Sequence, residues 1–241
     1  MKSQMHFSFV CAVLFFLLFS ACSDNGSSAE NVFDASVVCP AEGTNVYGEP
    51  NRGTFTDARD GHVYKYTTIG NRVWMAENLN YDVEFGLTSC VVKDDCSSKG
   101  RVYGVVNSLG ACPEGWHLPS NDEWAELFDN VGGSDSAGIR LKATSGWIPL
   151  NPGQLSNGTD DCGFALLPMP TGIISSSRVY DGYEARLWAT DVALVEAYIN
   201  GREFREDDTM TGVLFETQYV YARASRFYGA AIRCIRDNDE K

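Results

Sequence analysis

Leu118-Pro119-Ser120-Asn121-Asp122-Glu123-Trp124 is the clearest helix start in the chain. The Ser120 hydroxyl can accept from the amide of Glu123 while the Glu123 carboxylate reaches back to the amide of Ser120, a capping box that satisfies two amides the helix leaves open. Asp122 and Glu123 also place negative charge in the first turn, at the positive end of the helix dipole. Trp124, Leu127, Phe128 and Val131 follow at helical spacing, and Gly132-Gly133 supplies the stop. The spacing predicts about three turns with a buried aromatic stripe.

Upstream the pattern changes from helical to alternating. Thr54-Phe55-Thr56, His62 to Ile69 and Arg72-Val73-Trp74-Met75 are β-rich runs, separated by Asp60-Gly61 and Gly70-Asn71, where Gly or Asn can take positive φ. An antiparallel meander is expected to open the domain near Gly53. Downstream, a second, shorter helix is expected from about Ala137 to Ala143, capped by Ser134 or Asp135, with Gly146 after its end. Trp147 to Pro170 is rich in Gly, Asn, Asp and Pro around an apolar island at Phe164 to Leu167, and reads as loop. Strand-like runs return at Arg186 to Thr190, Val192 to Ile199, Val213 to Phe215, Tyr219 to Ala222 and Ala230 to Ile235. Strands, then helices, then loops and strands make an α+β layout rather than alternating βαβ units.

The N-terminus predicts export. Lys2 precedes an uncharged apolar stretch from Phe7 to Phe19 and the small pair Ser20-Ala21. That stretch is shorter than the roughly 20 residues a membrane span needs. Cys22 stands where a bacterial lipobox places its acylated cysteine, although Phe19 replaces the usual aliphatic residue; ordinary cleavage to a periplasmic or secreted product is the alternative. The expected organisation is a signal peptide over 1–21, a polar tether and irregular lead-in over 22–52, one globular domain over 53–237 and a tail over 238–241. Localisation at the cell envelope, on the outer membrane or cell surface, follows from the anchor.

Charge and cysteines exclude several classes. Net charge is −13, from 32 acidic and 19 basic residues, and no Lys/Arg run could track phosphates, so nucleic acid is not an expected partner. Apart from the leader's Cys11 and the lipid-assigned Cys22, six cysteines stand in the exported part, for which three disulfides in any of fifteen connectivities are open. No Cys-x-x-Cys occurs and only His62 and His117 remain there, so zinc competes poorly and no metal or cofactor is expected. Asp160-Asp161 with Asn157 lacks the spacing of a calcium loop and reads as an Asx-rich turn.

Trp74 to Tyr81, Cys112 to Ser120 and Glu123-Trp124 closely resemble the signature of the Fibrobacter succinogenes major paralogous domain. Leu141 to Trp147, Asp161-Cys162-Gly163-Phe164, Leu187 to Thr190 and Ile232 to Asp237 match its later blocks in order. The resemblance spans Thr54 to Asp237 and implies an exported, often lipid-anchored module, without implying an activity. The Leu-Pro-Ser-x-x-Glu-Trp segment more distantly resembles the formylglycine-generating-enzyme and C-type-lectin-like group, which implies a C-type-lectin-like single domain of antiparallel strands, two helices and long loops, stapled by disulfides. Two departures matter. Gly104 to Asn107 is aliphatic where the family carries an aromatic, and Cys162 and Cys39 are additional to its pattern. The pairing expected is Cys90–Cys96 across a short loop, Cys112–Cys234 from the helix entrance to the last strand, and Cys39–Cys162 by elimination.

Candidate site residues were weighed against plainer roles. His117, beside Trp116 at the helix entrance, reads as a satisfied turn residue rather than a catalyst, because no nucleophile motif accompanies it. Paired carboxylates for glycosidase chemistry carry no specific signal, since the acidic residues are so numerous. Trp116, Ser120, Glu123 and Trp124 form the structural motif. Of the tryptophans, Trp147 is the expected exposed one, with Tyr183, and the loops between them are the expected ligand surface. The functional expectation is a non-enzymatic binding or adhesion module for a glycan or an envelope protein. An envelope-processing enzyme and a purely structural envelope protein are the alternatives.

Overall fold

The computed structural model describes residues 32–83, 88–91, 95–149, 151–153, 155–169, 182–190, 211–215, 220–224 and 229–238. The leader with Cys22, the Val192–Ile199 run and the loop residues 170–181 lie outside them. Along the chain come α1 (Ala35–Val38), β1 (Arg52–Thr56), β2 (Val63–Ile69), β3 (Arg72–Met75), β4 (Thr88–Cys90), α2 (Cys96–Lys99), β5 (Arg101–Tyr103), α3 (Val105–Ser108), β6 (Trp116–His117), α4 (Asn121–Asn130), α5 (Ser134–Leu141), β7 (Ala185–Trp188), β8 (Thr211–Phe215), β9 (Val220–Ala224) and β10 (Ile235–Arg236). This is a mixed α+β architecture whose paired strands run antiparallel.

The expected meander forms, with β1 and β2 in register through Phe55 opposite Tyr64, and β2 and β3 through Thr67 opposite Trp74. The five-stranded sheet continues in the order β1-β2-β3-β10-β6, so the last strand of the chain lies between the third and sixth. In β2, Tyr64 and Tyr66 point in while Lys65 points out, until Thr67 to Ile69 are all buried. Alternation stops there because both faces are covered. Trp74 and Ile235 enter one hydrophobic cluster, whereas their chain neighbours Met75 and Cys234 enter the other. Successive strand residues point to opposite faces, so the sheet separates two cores.

Helix α4 packs on the first of these. Ser120 Oγ accepts from the Glu123 amide at 3.2 Å and Glu123 Oε2 accepts from the Ser120 amide at 2.9 Å, the capping box expected from the sequence. At the other end Gly132 donates to the Asp129 carbonyl and Gly133 to that of Phe128, the paired bonds of a Schellman motif, with Gly132 at φ +92°. Trp124, Leu127 and Phe128 are buried, and the Trp124 ring lies 4.9 Å from that of Trp74.

Two boundaries differ from expectation. Helix α5 begins at Ser134, with Gly133 at its N-cap and no side-chain cap, and ends at Leu141. The two glycines that close α4 reverse the chain so tightly that α5 starts at once, before any capping residue is needed. The lead-in is also not a tether from Phe33 onward. Phe33, Ala35 and Val38 pack against the core, Arg140 lies over the Phe33 ring at 4.1 Å, and the Gly70 amide donates to the Val38 carbonyl. Cys39 holds this segment to Cys162, with Cα atoms 5.3 Å apart; the other bridges are Cys90–Cys96 at 4.4 Å and Cys112–Cys234 at 5.9 Å. All three separations suit unstrained bridging. No helix among the described residues is long and apolar enough to cross a membrane.

Candidate functional site

The expected ligand surface starts where α5 ends. Lys142 and Leu166 form a parallel bridge, and from there the chain turns through Gly146 into Trp147. Here the structure corrects the sequence reading. Trp147 is only 5 % exposed, its indole donates to the Leu166 carbonyl at 3.0 Å, and it belongs to the main core. A large apolar ring whose one donor finds a buried carbonyl gains more from packing than from standing in water. The following residues take the surface instead, with Ile148 46 % and Leu155 77 % exposed.

That loop is fastened rather than free. The Trp147 amide donates to Asn157 Oδ1 at 3.0 Å and Ser156 Oγ donates to the Trp147 carbonyl at 2.9 Å. Gly158 donates to the Ala143 carbonyl, and its Cα approaches so closely that a Cβ would lie 2.1 Å from the Lys142 carbonyl oxygen. Ile148 donates to the Gly182 carbonyl at 2.7 Å, which brings the two ends of the expected surface, Trp147 and half-buried Tyr183, onto adjacent backbone segments. Asp160 sits at φ +50° and accepts from the Ala165 amide at 2.7 Å, the Asx-rich turn expected. Burial raises its pKa, partly offset by that amide.

Beneath the loop lies a residue that motif reading passed over. Lys142 is fully buried, its Nζ is 4.4 Å from the centre of the Trp147 ring, and no hydrogen-bond acceptor meets it among the described residues. Desolvation holds its pKa down at about 8. Arg233 shows the opposite treatment. It is equally buried, yet it donates to Asn78 Oδ1 at 2.7 Å and to the carbonyls of Phe164 and Met75 at 2.7 and 3.1 Å, and it packs on the Phe164 ring. Burial lowers its pKa to about 9, opposed by Glu77 and Asp160. The signal for Lys142 was a basic residue between buried Leu141 and Ala143, visible only once the face of α5 is known.

At the N-terminus of α4 a separate charged group assembles. His117 sits in β6 rather than in a turn, with Nδ1 2.6 Å from Asp237 and Nε2 3.0 Å from Glu123; Arg72 lies 3.6 Å from the same Glu123 carboxylate. A carboxylate at each nitrogen favours the imidazolium. Its pKa is raised by the bond to Glu123, opposed by burial and reinforced by Asp237. Burial alone would raise Glu123, but the bonds from His117 and the Ser120 amide win and hold it at about 2. The Ser120 hydroxyl donates to Glu123 and not to His117. The base facing the serine is therefore Glu123, a weak proton acceptor at a pKa of about 2, and not the imidazole. Asp237 was the member sequence reading missed, because 120 residues separate it from His117.

Trp116, on the other face of β6, stacks on Phe55 with ring centres 4.2 Å apart, and both are half-buried. Trp74, Trp124 and Trp188 are each at most 1 % exposed. Trp116, not Trp147, therefore keeps a partly open ring. Among the described residues no cluster of His, Cys, Asp or Glu is placed to hold a metal ion.

The fold and its bridges define a disulfide-stapled α+β domain. More particularly, the chain belongs to the Fibrobacter succinogenes major domain family, whose model matches residues 67–236. No curated protein and no solved structure matches it.

Proposed function

We propose that this domain is a non-enzymatic binding or adhesion module of the cell envelope, held by a lipid on Cys22 at the outer membrane or cell surface, whose partner is an envelope protein. The observation that carries the reading is the loop after Trp147: fixed by Asn157, Ser156 and Gly182, it nevertheless presents Ile148 and Leu155 to solvent. A segment anchored at Gly182 with exposed aliphatic side chains suits an apolar protein surface. Burial of Trp147 removes the ring on which a sugar would have stacked there. The clamping of His117 between carboxylates supports a role without turnover. Export and anchoring rest on the leader, on Ser20-Ala21-Cys22 and on cysteine pairing suited to an oxidising compartment. The C-type-lectin-like reading of the fold is part of the same proposal, supported by the Leu118 to Trp124 segment and the long loops that follow.

A second reading, glycan binding, is favoured by the half-open Trp116 stacked on Phe55. One experiment separates the two. A photo-crosslinking residue at position 155 should capture an envelope protein that a residue at Lys65 does not. The captured protein, once purified, should bind the wild type and lose binding to an Ile148→Asp/Leu155→Asp variant of unchanged melting temperature. Binding on a glycan array abolished by Trp116→Ala, with no protein captured, would replace the protein partner by a sugar. Hydrolysis of array polysaccharides would overturn the non-enzymatic reading.

A further inference from the structure

An ammonium taken out of water without an anion is among the costlier things a fold can contain, because the charge loses hydration and gains nothing equivalent. Lys142 is in that position among the described residues: the residue is fully buried and Nζ has no acceptor. The fold supplies equally buried Arg233 with four oxygen acceptors, so acceptors can be built where a cation is purely structural. What Lys142 receives instead is the face of Trp147 at 4.4 Å, which attracts a cation without neutralising it. The backbone of Trp147 carries the clasp made by Asn157 and Ser156, and Ile148, next in the chain, and Leu155 are exposed.

We propose that Lys142 is the anchor for a carboxylate carried by the partner of this loop, one that stands beside an apolar side chain, as at the C-terminus of a peptide. The inference rests on the binding-module reading and names the chemistry of that same surface. An entering carboxylate opens the two side-chain bonds of the clasp, pairs with Nζ, and leaves its apolar neighbour against Ile148 and Leu155. The acidic character of the whole chain selects against extended polyanions, which its net charge of −13 repels, and tolerates a single carboxylate.

The test follows the Lys142 ε-methylene by NMR in the purified protein, its resonance assigned by loss in Lys142→Met. N-acetylleucine should move that resonance and raise the amine's titration midpoint by about one unit, which corresponds to tenfold tighter binding of the carboxylate to the charged amine. N-acetylleucinamide, identical but for the carboxylate, should move neither. Lys142→Met should abolish N-acetylleucine binding while its urea midpoint stays level or rises, since the apolar stem is kept and the buried charge is gone. No response to N-acetylleucine, or an equal response to the amide, overturns the proposal. So does a fall in the midpoint of Lys142→Met, which would make the amine a structural contact. Galacturonate acting where N-acetylleucine does not would assign the carboxylate to a sugar and overturn the peptide assignment. Partner capture at position 155 with a silent Lys142 removes this anchor and leaves the binding-module reading standing; loss of both removes both.

Discussion

Replacing Glu123 by Gln tests the charged group at the N-terminus of α4 without disturbing its shape. Glutamine keeps a carbonyl to accept from the Ser120 amide, so the capping box survives, and the charge facing His117 and Arg72 is lost. The Glu123 side chain is only 15 % exposed, and its pKa of about 2 stands against an ordinary 4.5. At 1.36 kcal/mol per unit the shift sets a ceiling of about 3 kcal/mol, and because His117 is 39 % exposed, solvent screening brings our expectation to about 2 kcal/mol. A depressed carboxylate contributes stability that is present above pH 4.5 and is lost as pH falls through the folded value. His117 has the opposite sign: raised above 6.5, it contributes fully below that pH and loses its contribution as pH climbs through its folded value. Urea unfolding followed by tryptophan fluorescence should therefore show greatest benefit from the pair between pH 4.5 and 6.5. Glu123→Gln should lose about 2 kcal/mol at pH 6, with the deficit closing as the pH approaches 2. A variant as stable as wild type at pH 6, or one whose deficit is the same near pH 2, would refute the electrostatic account.

Ser120→Ala removes the other half of the capping box and should lower stability by about 1 kcal/mol in a denaturant titration, with partner binding unchanged. Trp147→Ala opens a cavity beside Leu166 and should cost about 3 to 5 kcal/mol, read as a lower melting temperature. Removing the Cys112–Cys234 bridge, which spans 122 residues, should cost about 4 to 5 kcal/mol, against about 2 kcal/mol for Cys90–Cys96, which spans 6, when paired alanine variants are compared. The mature protein should carry an acylated Cys22 by mass spectrometry, and Cys22→Ser should leave the membrane fraction.

Local chemistry was the legible part of this sequence. The capping box at Ser120 and Glu123, the glycine stop after Val131 and the hairpin turn at Gly70-Asn71 are decided by residues within a few positions of one another, and the structure has all of them. Trp147 was misplaced for a related reason: flanking glycines and polar residues mark a loop, but whether a loop residue faces out depends on Leu166, whose carbonyl receives the indole proton. Lys142 and Asp237 owe part of their surroundings to segments distant in the chain, Leu166 in one case and β6 in the other. Periodicity carries nothing about such meetings. The lead-in from Phe33 was obscured by its glycines and prolines, and its packing on Arg140, its bond to Gly70 and the Cys39–Cys162 bridge show it to be part of the domain.

Placing β10 between β3 and β6 has a consequence for how the molecule is made. Ile235 is hydrogen-bonded to strands on both sides, and Cys234 closes onto Cys112, so the central sheet stays open until β10 has been delivered. A growing chain cannot close this sheet while Ile235 is still inside the ribosome. An early stop before Ile232 leaves both neighbouring strand edges bare. Closure of this sheet is thus an all-or-none event set by one short strand, since among the described residues β3 and β6 have no contact in the sheet except through β10.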